Sequence, residues 1–136
     1  MKIATEDTES TEVFADNSLT EATIGAAIEV HRELGPGLLE SVYEKCLAFE
    51  VADRGFRVAT QQDIPVRYKG LVFECGFREG IIVNETVLIE LKSIDQMLSF
   101  HTAQILTYLK LTSLKTGLLI NFNVPLLKQG IKRLSL

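Results

Sequence analysis

Apolar positions recur at helical spacing early in the chain and at strand spacing through its middle. From Ser18 to Leu34, Ile24, Ile28 and Leu34 fall near one helical face beside Ala22, Ala26 and Ala27. Ser18-Leu-Thr-Glu21 reads as a capping box that opens this helix. Gly35-Pro36-Gly37 stops it and turns the chain. A second helix is expected over about 38–54, with Leu39, Val42, Tyr43, Cys46, Leu47 and Val51 as its apolar stripe and Gly55 at C′. The stretch 56–92 then turns rich in Val, Ile, Phe, Tyr and Thr, with turn signals at Lys69-Gly70 and Asn84-Glu85. It predicts three antiparallel strands, about 57–67, 71–83 and 86–92, with Pro65 placing the first at an edge or bulge. A third helix ending near Leu111, a strand over 118–122 and a short strand over 131–134 complete the order α-α-β-β-β-α-β-β. That order means α+β or α/β with a mixed sheet and no internal repeat.

Composition narrows the reading. A chain of 136 residues with 46% apolar content suits one domain with a real core. No apolar run approaches the ~18–20 residues of a membrane span, and the start lacks a basic-then-apolar signal. No membrane partner is therefore expected. Cys46 and Cys75 stand outside any CxxC or Cys/His cluster and read as free thiols in a reducing cytoplasm. Of the 18 acidic and 14 basic residues, five acids and one lysine fall in residues 1–17. That segment reads as a disordered acidic tail, and 18–136 as a neutral single domain.

The most informative triplet is Glu90-Leu91-Lys92 at the end of the third predicted strand. Alternation puts Glu90 and Lys92 on one face. A carboxylate beside an ammonium suits a divalent metal with a lysine that holds or activates water. On its own the pattern is an ordinary surface ion pair. His101, Gln104 and Tyr108 share one face of the third helix at i, i+3 and i+7, and Glu40 lies one turn from Tyr43 on the second. Lys110, Lys115, Lys128, Lys132 and Arg133 offer a phosphate-contacting patch. An unpaired edge strand, around 71–77 or at the end of the chain, would instead favour a homo-oligomer.

Gly37-Leu-Leu-Glu40-Ser-Val-Tyr43 resembles the signature of the GxxExxY protein family, placed in the PD-(D/E)XK nuclease superfamily. The resemblance extends through His31–Gly37, Glu90–Lys92, Gln104-Ile-Leu-Thr-Tyr108 and Gly117–Phe122. It implies a restriction-endonuclease-like core with a mixed sheet flanked by helices. It also implies Glu40, Glu90 and Lys92 as catalytic residues, Glu40 and Glu90 as ligands of Mg²⁺ or Mn²⁺, and Tyr43, Gln104 and Tyr108 in support. The implied activity is metal-dependent hydrolysis of nucleic-acid phosphodiesters, and it requires Glu40 and Glu90 to converge.

One position departs from the pattern. The superfamily's metal-bridging aspartate, expected on the strand before E-x-K, falls in Arg78-Glu79-Gly80-Ile81-Ile82-Val83 at Gly80. Hairpin register decides the consequence. A two-residue turn at Asn84-Glu85 would set Glu79 opposite Glu90, whereas an odd loop sets Gly80 there. The sequence therefore supports two functions: an impaired metal-dependent nuclease, or a catalytically inactive nuclease-fold module that binds nucleic acid or a protein.

Overall fold

Two glycines with positive φ, Gly35 (70°) and Gly37 (99°), break the chain between its first two helices. The computed structural model describes the backbone of residues 2–136 and the side chains of residues 17–76 and 80–136. Helix α1 (Lys2–Leu34) leads to α2 (Glu40–Asp53), then to strands β1 (Val58–Tyr68), β2 (Leu71–Val83) and β3 (Val87–Lys92). Helix α3 (Ser99–Thr112) crosses to β4 (Thr116–Asn121), and a 3₁₀ turn over Leu127–Gly130 leads into β5 (Ile131–Ser135). The predicted order holds throughout. Gly55, at φ 93°, takes the C′ position behind α2.

One expected boundary moves. Asn17 and Ser18 already lie inside α1, so Ser18 does not open the helix. Nearby, Thr20 Oγ1 donates to the Asn17 carbonyl at 2.9 Å. Residues 2–17, expected from the sequence to be a disordered tail, belong to α1 by their backbone, and the side chains of residues 1–16 lie outside the described residues.

The five strands lie in sequence order, β1-β2-β3-β4-β5, and only the β3–β4 pair is parallel. This is the mixed α/β sheet the pattern predicted. A parallel pair needs a crossover, and α3 supplies it. Every residue of β3 and β4 is buried, as expected of parallel strands covered on both faces. Helices α1 and α2 cover the face carrying Val87, Ile89, Leu91, Leu118 and Ile120, with Tyr43 and Leu47 packed into it. Helix α3 covers the other through Ile105 and Leu109, against Leu88, Leu119 and Ile64. No described helix is long and apolar enough to cross a membrane.

The β1–β2 ladder contains a large bulge. Thr60 pairs with Ile81 and Gln62 with Phe77, so residues 78–80 stand against Gln61 alone, whose φ is 50°. Two residues more on one strand than the other kink the pair and rotate it. Beyond the bulge the strands continue as a two-stranded ribbon. A tight turn with positive φ at Lys69 (45°) and Gly70 (86°) closes its tip, as two-residue hairpins prefer.

Candidate polar site at the strand divergence

Strand β3 is apolar except at Glu90 and Lys92, which are only 2% and 8% exposed. They lie on the α3 face, since Leu88 packs against Ile105 and Leu109 while Ile89 and Leu91 face α1 and α2. Buried charges on a central strand demand polar company. Helix α3 provides it in Tyr108 and Gln104, whose side chains hydrogen-bond to each other. Cys75, Glu90 and Lys92 all act electrostatically on the Tyr108 phenol. Four of the residues singled out from the sequence thus meet: Glu90, Lys92, Gln104 and Tyr108. Cys75 joins them because the bulge shifts the pleat phase of β2, which the sequence does not announce.

Hairpin register answers the question of the missing aspartate. Val83 pairs with Val87 across Asn84-Glu85-Thr86, a three-residue loop, and Gly80 pairs with Glu90. Asn84 fixes the loop, accepting from the Arg57 amide at 2.8 Å and donating its own amide to the Arg57 carbonyl at 2.9 Å. Thr86 is drawn into the turn, its amide donating to Val83 O at 3.0 Å. Gly80, and not residue 79, thus occupies the position opposite Glu90.

Glu40 reaches the same strand by another route. It opens α2, which lies on the Ile89–Leu91 face of the sheet and not on that of Glu90. Its Oε1 accepts from the Ser93 amide at 3.1 Å, one residue past Lys92. Ser93 Oγ in turn donates to the Leu38 carbonyl. Glu40 and Lys92 thus lie at the carboxyl end of β3, whereas Glu90 is further back, on the α3 side.

Tyr43 works below this junction. It is fully buried, stacks on Phe122 at 4.4 Å, donates to the Gly35 carbonyl at 2.6 Å and accepts from the Leu38 amide at 3.1 Å. One hydroxyl thereby closes the Gly35–Leu38 loop and sets the start of α2, which carries Glu40. Tyr43 is a positioning residue on the opposite face from Tyr108. His31 braces the same loop region, its Nε2 2.8 Å from the Val124 carbonyl.

Asn121, the β4 neighbour of Lys92, was not singled out from the sequence. It is 4% exposed, accepts from the Ile94 and Asn123 amides and donates to the Ile94 carbonyl at 2.9 Å. The loop after β3 is thus held by one side amide. Gly130 must be glycine here, because a Cβ would lie 2.1 Å from the Asn121 carbonyl oxygen. His101 parts from Gln104 and Tyr108: its Nδ1 accepts from the Leu98 amide at 2.9 Å and serves the first turn of α3.

The expected basic patch is divided. Lys132 Nζ meets Thr102 of α3 at 3.4 Å, whereas Arg133 meets Thr20 of α1 at 3.3 Å, on opposite faces of the sheet. Lys128 lines a cleft with His31 and Pro36 on the α1 side.

The resemblance implies a divalent metal, and the donors fit it poorly. Opposite Glu90 stands a residue with no side-chain donor, and Glu40 comes from a helix packed on the other face, its Oε1 engaged by the Ser93 amide. Among the described residues no group of three or more His, Cys, Asp or Glu is placed to hold an ion.

Burial is the main influence raising the Tyr108 phenol above its ordinary value, with Cys75 and Glu90 adding to it and Lys92 and Gln104 opposing. A raised folded-state pKa means that the folded chain keeps this proton longer than the unfolded chain does. The associated stability is complete below roughly pH 10 and is lost as pH rises through the raised value. Native protein should therefore lose denaturant stability faster than Tyr108→Phe as pH climbs past that point. Parallel curves would contradict the assignment.

A family model described as the PD-(D/E)XK nuclease superfamily matches residues 17–134. The chain belongs to that superfamily. Searches of curated proteins and of solved structures returned no match. The mixed sheet flanked by helices agrees with a restriction-endonuclease-like PD-(D/E)XK fold, and the match covers every element from the end of the acidic segment to β5.

Proposed function

We propose that this chain is a nuclease-fold module of GxxExxY type that binds nucleic acid without hydrolysing it by the metal-dependent route. The observation that carries this reading is the Gly80–Glu90 pairing. A carboxylate-poor site holds Mg²⁺ weakly, since that ion takes hard oxygen donors in near-ideal octahedral geometry. Losing a group that acts as part of a unit costs orders of magnitude in rate. Lys92 and Glu90 then serve as a buried, mutually compensating pair within the core around β3.

Binding is supported by superfamily membership and by Lys110 in the last turn of α3, Lys115 just past it and Lys132 of β5, which meets Thr102 of α3. The domain beyond the acidic segment is electrically neutral, so the attraction is modest. About three phosphate contacts would give a salt slope of roughly −3, at ~0.9 per contact.

A second reading is favoured by one contact, Glu40 on the Ser93 amide beside Lys92. It keeps slow hydrolysis with Glu40, Glu90 and Lys92 as the working set and Mg²⁺ or Mn²⁺ as the ion. Plasmid and single-stranded substrates titrated with Mg²⁺ and Mn²⁺ separate the two. The binding reading predicts salt-sensitive retention without cleavage. Cleavage that disappears in Lys92→Ala would establish the second reading and overturn the first.

A further inference from the structure

The β1–β2 ribbon is amphipathic across its two faces. The register pairs Ile64 with Cys75, Val66 with Phe73 and Tyr68 with Leu71, so all six share one face. The root of this stripe is sealed: Ile64 is 1% exposed and packs with α3 through Ile105 and Leu109. The tip is bare, with Tyr68, Leu71 and Phe73 between 53% and 63% exposed. The other face carries Asp63, Arg67 and Glu74 together with Pro65 and Val72, all exposed. A stripe that begins in the core and continues uncovered past the end of α3 is one half of a packed layer.

We propose that the bare end of this ribbon packs against the same surface of a second copy of the chain. Three arguments select that occupant. The first is area. Aromatic side chains bury ~150–250 Å² each and leucine less, so Tyr68, Leu71 and Phe73, more than half exposed, leave roughly 300 Å² uncovered at the tip. A dimer of standard size takes roughly 800 Å² per partner, about 65% of it apolar. Three side chains thus supply more than half of the apolar centre such a pair needs.

The second argument is charge. Asp63, Arg67 and Glu74 lie on the other face of the ribbon, which leaves Lys69, its Nζ 5.4 Å from the centre of the Tyr68 ring, as the charge beside the apolar tip among the described residues. A face so poor in charge suits the centre of a protein interface, where charged residues are depleted. A nucleic-acid backbone would need several cations there.

The third is protection of edges. Pro65 lies in β1, the edge strand of the sheet, and an edge proline blunts strand addition. Open-ended growth along that edge is thereby discouraged, while the apolar face of the ribbon stays available for a closed pair.

Sedimentation velocity of the full chain, from low-micromolar to the highest soluble concentration, tests the proposal. The native chain is expected to show a concentration-dependent monomer–dimer equilibrium. The double variant Leu71→Glu with Phe73→Glu should weaken self-association at least ~100-fold, the loss typical of removing central apolar anchors. Val72→Lys, on the opposite face of the same ribbon, should leave dimerisation within about threefold of native, well short of the tenfold that 1.4 kcal/mol represents. A native chain that stays monomeric throughout overturns the proposal. So does equal loss in Val72→Lys, or a single-stranded DNA probe that binds the native chain and is released by the double variant while sedimentation is unchanged.

Discussion

Replacing Gly80 by aspartate is expected to create a Mn²⁺ site beside Glu90. Directly paired residues on antiparallel strands share a face with Cβ atoms ~4.5–5.5 Å apart. The introduced carboxylate would therefore meet Glu90 across the Gly80–Glu90 pair, close enough for both groups to hold one ion. Without metal, two carboxylates in a buried setting repel, and one is forced toward its protonated form. The Gly80→Asp variant should thus melt below native protein in EDTA and recover on adding Mn²⁺, because a ligand that binds only the folded state stabilises it by mass action. Affinity for Mn²⁺ should rise by at least ~100-fold, the upper range for groups one step further from an ion. Native protein should show no Mn²⁺-dependent change in melting. Equal Mn²⁺ response in both chains would remove Gly80 from the explanation.

The largest stability effect should come from Tyr43. Tyr43→Ala removes a fully buried ring stacked on Phe122 and should cost about 3–5 kcal/mol, the range for large-to-small aromatic changes in cores. Tyr43→Phe isolates the hydroxyl. It keeps the stack but leaves Gly35 O and Leu38 N without their shared partner, for a loss of about 1–3 kcal/mol. Urea denaturation measures both. Hydrogen exchange should further show faster amides over 35–40 in the Phe variant, with β3 and β4 unchanged. If Tyr43→Phe is neutral and the loop stays protected, the hydroxyl does not set the position of Glu40.

The order of elements was legible because its punctuation is local. Gly35-Pro36-Gly37, Lys69-Gly70 and Gly55 each require backbone conformations that few other residues adopt, and each break falls where expected. The face shared by Glu90 and Lys92 also follows from strand alternation alone. Hairpin register was not legible, because Asn84-Glu85 is compatible with two loop lengths and the participation of Thr86 depends on Asn84 clasping Arg57, 27 residues away.

The bulge was hidden for a similar reason. Gln61 takes a positive φ without being Gly, Asn or Asp, so no residue marks the spot. Its consequence is long-range: the phase of β2 changes, Cys75 moves to the α3 side and the ribbon leaves the sheet. Tyr43 shows the opposite limit. The motif around it was recognisable, yet its spacing does not reveal that its hydroxyl serves a loop rather than a reacting group. The basic residues near the end of the chain looked like one patch because they are close in sequence, but a strand sends successive side chains to opposite faces.

A crystal of the native chain grown with Mn²⁺, examined by anomalous diffraction, addresses the central claim most directly. With glycine facing Glu90 in the pair, no ion peak is predicted beside the Glu90 carboxylate. An ordered ion bound by Glu90, with Glu40 or residue 79 completing its coordination, would contradict the account.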